Sequence, residues 1–168
     1  MVTTKQGDKG FTQLADGNRV IKYSVYCTVC GTIDEFTSFL GLAKVDSPLF
    51  ISKEIETIQT NLQKVCTYLS CVGLTNPFDG KLLTQLEEKR ISLERRVELP
   101  RGFIIPGDTK ISAILDIART VCRRAEREAV KIFKGKNKPT DTTVLIYLNR
   151  LSDYIYLLAR FSEGRIKH

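Results

Sequence analysis

A chain of 168 residues, 42% hydrophobic and 27% charged, is long enough to bury one proper core and has the balance of a soluble globular protein. No apolar run reaches the roughly 18 residues of a membrane span, and the polar start MVTTKQGDKG lacks a signal-peptide hydrophobic region, so a cytoplasmic protein with no membrane partner is expected. The net charge of +7 is compatible with nucleic acid, an anionic membrane or a nucleotide, but the acids are spread along the chain and no dense Lys/Arg tail is present, which disfavours nucleic acid.

Residues 1–20 show little helical periodicity. Gly7, Gly10 and Gly17 alternate there with Thr3, Thr4, Lys5, Asp8 and Thr12, so an irregular segment with room for a short extended piece is expected. Glycines allow backbone N–H groups to turn inward as a nest, and Lys5 with the threonines could complete a phosphate cradle. The spacing is not that of a Walker A loop, and a flexible tail is the plain alternative.

A first helix is expected from about Tyr23 to Lys44, closed by Asp46-Ser-Pro48. It carries Cys27-Thr-Val-Cys30, a spacing that serves metal or redox chemistry. Cys66 and Cys71 are too far apart for a zinc knuckle and the only histidine is His168, so reduced thiols packed in helices are the expectation. A second helix runs from Ser47 or Pro48 to Val72, with Leu49, Ile51, Ile55, Ile58, Leu62, Val65 and Leu69 inward, and Gly73 and Asn76-Pro77 stop it. A third, from about Asp79 to Glu98, sets Leu82, Leu83, Leu86 and Leu93 among dense charges. Pro100, Gly102, Pro106 and Gly107 then forbid a helix, leaving Phe103, Ile104 and Ile105 either to plug the end of a bundle or to line a pocket for a flat apolar ligand.

Asp108 or Thr109 caps the most informative helix, which continues to about Phe133. Ile111, Ile114, Leu115, Ala118, Cys122, Ala125 and Ala129 recur at steps of three and four as its apolar face. Arg119, Arg123 and Arg127 recur at steps of four beside that face, Arg124 lies elsewhere, and Glu126 falls between. Like charges so spaced repel by a few tenths of a kcal/mol. The row is either a solvated basic face or a set of guanidinium forks for a polyanion. After a lysine-rich turn at 135–139, a last helix from about Thr140 to Ser162 buries Val144, Leu148, Leu151, Ile155 and Leu158, with Asn149, Asp153, Tyr156 and Arg160 on a second polar stripe. The expected fold is all-α: a five-helix antiparallel bundle with an irregular N-terminal nucleotide-binding segment, one domain over 1–168 with the bundle at 23–164.

Five stretches in order, Thr4-Lys-Gln-Gly-Asp-Lys-Gly-Phe-Thr12, Gly31-Thr-Ile-Asp-Glu35, Phe103-Ile-Ile-Pro-Gly107, Arg119-Thr-Val-Cys-Arg-Arg-Ala-Glu-Arg127 and Tyr147-Leu-Asn-Arg-Leu-Ser-Asp-Tyr154, resemble the motifs of ATP:cob(I)alamin adenosyltransferases of the propanediol-utilisation (PduO) type. The resemblance implies a homotrimer with ATP at each subunit interface, Mg2+ as cofactor, and ATP and cob(I)alamin as substrates. It implies that Thr4, Lys5, Gln6, Gly7, Thr12 and Gln13 order ATP with Lys22 nearby, and that Arg123, Arg124, Ala125, Glu126, Arg127 and Asn149 contact it. Asp34 and Arg119 match an ion pair between subunits, and Phe103 matches the aromatic residue that displaces the lower axial ligand of the corrinoid. With Arg123 these three are the expected catalytic positions. Asp108 departs from the glycine that usually follows Pro-Gly. A cobalamin reductase and an adenosylcobalamin-dependent mutase are the partners such an enzyme would have. A non-catalytic carrier of the same fold and a basic nucleic-acid-binding module are the competing classes.

Overall fold

The computed structural model describes residue 5 and residues 7–71, 78–134 and 141–167. A two-stranded antiparallel hairpin, β1 (Phe11–Gln13) and β2 (Arg19–Ile21), precedes five helices: α1 (Val25–Val45), α2 (Leu49–Leu69), α3 (Gly80–Arg96), α4 (Lys110–Phe133) and α5 (Thr143–Ser162). The expected stops at Gly73 and Asn76-Pro77, the turn at 135–139, and Thr4 and Gln6 lie outside the described residues.

The helices form the expected all-α bundle. Helix α4 packs against both α1 and α5; α5 also packs on α3, and α2 on α1. The α4 seam explains its central place, because Ala118, Cys122, Ala125 and Ala129 are wholly buried and small enough to bring neighbouring helices close. The Cys122 thiol donates to the Leu148 carbonyl of α5 at 3.4 Å, and burial pushes its pKa up. Leu49, expected to point inward, is exposed at the first position of α2.

Helix limits follow local chemistry. The Ser24 hydroxyl caps α1 by accepting from the Cys27 N–H, which moves its start two residues beyond Tyr23. Thr109 and Ser112 form a reciprocal capping box at α4, settling the cap on Thr109 rather than Asp108. The Asp141 carboxylate, held below its usual range chiefly by hydrogen bonds from Thr143, also accepts from the Phe78 N–H at 3.0 Å and so ties the starts of α3 and α5. The N-terminal hairpin is more ordered than glycine content suggests. Gly17 takes the left-handed φ of 85° that its turn requires, and Leu14 N–H donates to Asn18 O across it.

Helix α3 ends at Arg96, short of Glu98, because the next backbone groups are taken by the segment after α5. Val97 bridges Ile166, the Glu98 N–H donates to Arg165 O at 3.1 Å, and the Lys167 N–H donates to Arg96 O at 2.9 Å.

The core also holds a charge pair. Arg160 of α5 is 1% exposed and places Nη2 2.6 Å from Oδ2 of Asp116 on α4. The other oxygen of Asp116 accepts from Arg119 Nε at 3.1 Å. The same Arg160 Nη2 lies 2.9 Å from Glu163, which holds Arg165 Nε at 2.9 Å, and Arg165 reaches Asp108 at 3.0 Å. Six side chains of alternating sign thus run from Arg119 to Asp108. Truncating one member of a buried pair leaves its partner uncompensated, so Asp116→Ala should cost about 3–5 kcal/mol. Replacing Asp116 and Arg160 together by apolar residues of similar volume should cost much less, which urea unfolding of the three variants will measure.

Candidate active site

Two cavities meet on the α4–α5 face. One, of about 420 Å³, is bounded by Phe103, Ile104, Asp116, Arg119, Tyr156 and Arg160. The other, of about 320 Å³, is bounded by Arg90, Leu99, Arg119, Arg123, Asp153 and Tyr156. Arg119 and Tyr156 line both, so they are the common wall. The polar stripe of α5 supplies most of this wall. Asp153 and Tyr156 face the cavities, while Arg160 turns inward beneath Tyr156, its guanidinium carbon 5.1 Å from that ring.

The loop between α3 and α4 closes the first cavity. Phe103 is fully exposed at its tip and Ile105 nearly so. Gly102 and Gly107 adopt φ values of 149° and 124°, open to glycine and strained for other residues. Of the two expectations for this apolar run, plugging the bundle fails for Phe103: the ring touches solvent and holds nothing together. Ile104 is half-buried against the cavity.

The arginine stripe is divided by its partners. Arg119 spends Nε on Asp116, and its terminal nitrogens have no acceptor among the described residues. Arg123 is exposed on the second cavity, with no ion pair among the described residues. Arg127 is exposed and donates to the Arg123 carbonyl at 3.2 Å. Arg124 instead pairs with Glu35 of α1 on another side of the helix. Glu126 accepts from the Asn149 amide at 3.1 Å, which fixes the side-chain orientation of both residues between α4 and α5. Ala125 is part of the buried seam.

The N-terminal element sets the Lys22 ammonium close against Gly7. Lys22 donates its backbone N–H to Gly10 O at 2.9 Å and carries its ammonium over Gly7. A Cβ on Gly7 would lie 2.8 Å from Lys22 Nζ, so a larger residue there would push the ammonium away. Lys5 holds a left-handed φ of 59°, a conformation that costs energy in a non-glycine residue. Thr12 is half-buried in β1 opposite Val20. Gln13 has its amide donor engaged by Gly17 O at 3.0 Å. No hydrogen bond or ion pair joins this hairpin to the arginine stripe within the described part of one chain. Asp34 likewise stands exposed on α1 with no ion-pair partner among the described residues. The structure therefore brings Phe103, Arg119 and Arg123 to one face and leaves Asp34 and the hairpin residues apart from them.

The cysteine pair of α1 is bound to carbonyls. Cys27 donates to Ile21 O and Cys30 to Cys66 O, both at 3.8 Å, and the contact with Cys66, then burial, push the Cys30 thiol up. Asp116, Glu163 and Arg165 did not stand out in the sequence as site residues. An acid set between Leu115 and Ala118 on an apolar face was the available signal for the first.

Known proteins align with nearly the whole chain. A cobalamin adenosyltransferase family model matches residues 2–162. A corrinoid adenosyltransferase of Bacillus subtilis is 42% identical over 96% of this chain and 86% of its own length. The human corrinoid adenosyltransferase is 33% identical over 96% of this chain and 68% of its own. A variant PduO-type ATP:corrinoid adenosyltransferase from Lactobacillus reuteri, solved with cobalamin and ATP, superposes with a TM-score of 0.86 at 29% identity, covering 98% of this chain and 91% of that one. With its five ordered motifs, helical bundle and paired cavities, the chain belongs to the cobalamin adenosyltransferase family and is of the PduO type.

Proposed function

We propose that this protein transfers the 5′-deoxyadenosyl group of ATP to cob(I)alamin, giving adenosylcobalamin and triphosphate. The observation that carries the reading is the shared wall of Arg119 and Tyr156 between an aromatic-rimmed cavity and an arginine-lined one, in a chain of this family. Cobalt(I) donates its electron pair to the 5′ carbon of ATP as the carbon–oxygen bond breaks in line, and triphosphate leaves with that bond's electrons. The nucleophile is the reduced metal of the substrate, so no general base is needed. Negative charge grows on the leaving oxygen, and preorganised cations lower the barrier by meeting it there. Arg123 and Arg127 stand exposed for that role, and Lys5 and Lys22 offer it from the hairpin.

ATP would lie between subunits. Within one chain the hairpin and the arginine stripe are unconnected, so both sides of a triphosphate are met when one subunit contributes Lys5, Gly7, Thr12 and Lys22 and its neighbour the stripe. Thr4 and Gln6 belong to the same motif, and Gln13 sustains the hairpin turn. Arg124, paired with Glu35, and Ala125, in the buried seam, belong to the same ATP-contacting motif, and Glu126 with Asn149 presents fixed polar groups to the nucleotide. Asp34, without a cation partner among the described residues, and Arg119, whose terminal nitrogens have no acceptor there, are complementary across such a boundary. The assembly we propose is a homotrimer of single-domain subunits, with 1–20 ordering ATP and 23–164 forming the bundle.

Among the described residues no three His, Cys, Asp or Glu side chains are grouped to hold a metal. Mg2+ suits this donor set when triphosphate oxygens and water supply most ligands and one carboxylate, such as Glu126, the rest. Bound there it would neutralise charge on the triphosphate. Cobalt must arrive reduced, and Phe103 serves this by occupying the space of the lower axial ligand, which makes cobalt(I) more accessible. A cobalamin reductase upstream and an adenosylcobalamin-dependent mutase downstream complete the chemistry. We place it in the cytoplasm; no helix among the described residues is long and apolar enough to cross a membrane.

Anaerobic mixing with ATP, Mg2+ and chemically reduced cobalamin tests the activity directly, and an unchanged corrinoid spectrum would refute it. In that assay Arg123→Ala or Arg127→Ala should each lose about 1.5–3 kcal/mol of binding or transition-state stabilisation, with the helical circular dichroism unchanged. For assembly, removing Asp34 or Arg119 alone should weaken activity more than removing both. Simple additivity in that double-mutant cycle, followed by sedimentation to read the oligomer, would argue against direct pairing. Phe103→Ala should leave stability within about 0.5 kcal/mol, since the ring packs on nothing. The same variant should lose the four-coordinate cobalt(II) signal in the presence of ATP, which spectroscopy of the bound corrinoid will show.

A further inference from the structure

The loop that carries Phe103 leaves α3 at Val97 and enters α4 at Thr109, and a single residue outside it touches both of its ends. Arg165 accepts the Glu98 N–H with its carbonyl at 3.1 Å, and its guanidinium Nη2 donates to Asp108 at 3.0 Å. Between those points lie Pro100, Gly102, Phe103, Pro106 and Gly107, and Gly102, Phe103 and Pro106 line the first cavity. Arg165 is itself held in place. Its Nε bonds Glu163 at 2.9 Å, and Glu163, 3% exposed, lies against the buried Arg160 that anchors to Asp116. The flanking Val97–Ile166 bridge and the Lys167 N–H to Arg96 O bond align the same strap. The side-chain contact depends on Asp108, the position where this chain departs from the glycine that usually follows Pro-Gly.

We propose that Arg165 is a positioning residue for the corrinoid: with Asp108 it closes the Phe103 loop at its base and holds the ring at the cavity mouth. This rests on the corrinoid reading of that cavity. The Arg165–Asp108 pair is half-exposed, so it adds little to global stability. Its effect is local, in narrowing the set of loop geometries and so the entropy lost when a corrinoid docks against Phe103. ATP, met by the stripe and the hairpin, does not feel it. The strap also places the loop under the same chain of charges that ends at Arg119, so the two cavities share one set of supports.

The experiment compares Arg165→Met, Asp108→Asn, their combination and Asp108→Glu in the full-length protein. Arg165→Met keeps the backbone bond to Glu98 and removes the guanidinium with its bonds to both Asp108 and Glu163, whereas Asp108→Asn removes only the charge of the first. The expected result is a rise of about threefold to fivefold in the KM for reduced cobalamin in the first three variants, with no additivity in the combination. The KM for ATP should be unchanged, Asp108→Asn, which leaves the Arg165–Glu163 bond in place, should move the thermal midpoint by less than about 3 °C, and Asp108→Glu should restore the corrinoid KM. Amide hydrogen exchange over 99–107, read by mass spectrometry without any substrate, should accelerate in Arg165→Met. Unchanged exchange in that segment overturns the strap, whether or not the protein turns over corrinoid. Faster exchange with an unaltered corrinoid KM, or equal changes in the ATP and corrinoid constants, overturns the positioning role. Absence of adenosyl transfer by the unmodified protein would instead refute the proposed reaction, and the exchange measurement would then decide the strap by itself.

Discussion

A guanidinium and a carboxylate removed from water must satisfy each other or unfold the site around them, and the Asp116–Arg160 contact is where this chain accepts that constraint. The pair fixes α4 against α5 at one register, since a shift of either helix by a turn would leave a bare charge in the core. Everything on the working face is measured from it. Arg119 bonds the same carboxylate and so points along the wall between the two cavities. Tyr156 lies over the same guanidinium. Around this charged centre the helices meet through alanines and a cysteine, which leave the axis of α4 close to its neighbours and its arginines clear of them.

The cations fall into two mechanical classes. Those on α4 are carried by a rigid, capped helix, so their spacing is set by the helical repeat. Those before α1 are carried by a short hairpin, whose two strands alone would be marginally stable in water. Lys22 belongs to the second class: its backbone closes the hairpin while its ammonium covers Gly7. In the proposed assembly, a rigid row set against a more adaptable loop would suit a ligand that must enter and leave as a highly charged anion. Preorganisation on one side lowers the ordering cost, and yielding backbone on the other gives a way out.

Much of this was legible in the residues. The three- and four-step recurrence along α4 located its buried seam and its arginine row, and the breakers Pro100 and Pro106 located the loop. The fold class followed from five such periodic stretches. What periodicity does not encode is partnership over long sequence distance. Arg124 and Arg127 are similar in sequence, yet Glu35 engages only the first, because α1 lies on that side of α4. Thr109 and Asp108 both read as caps, and the reciprocal bond with Ser112 freed Asp108 for Arg165. The bridge from Val97 to Ile166 shortened α3 through residues far beyond it in the chain. Among the described residues, Asp34 and the hairpin make no hydrogen bond or ion pair with the cavity residues, and no periodicity in the sequence marks that separation.

Phe103 stands in water although apolar rings are normally hidden. Burying a side chain of that kind is worth about 1.5–3 kcal/mol, so the protein at rest holds that much unclaimed attraction at one point of its surface. Any flat ligand that covers the ring collects it, a factor of roughly ten to a hundred in affinity. Because the ring contributes nothing to the fold, the whole of that difference is available to the encounter. The exposed side chain thus acts as a stored preference for a bound state, and it marks a surface prone to self-association when the ligand is scarce.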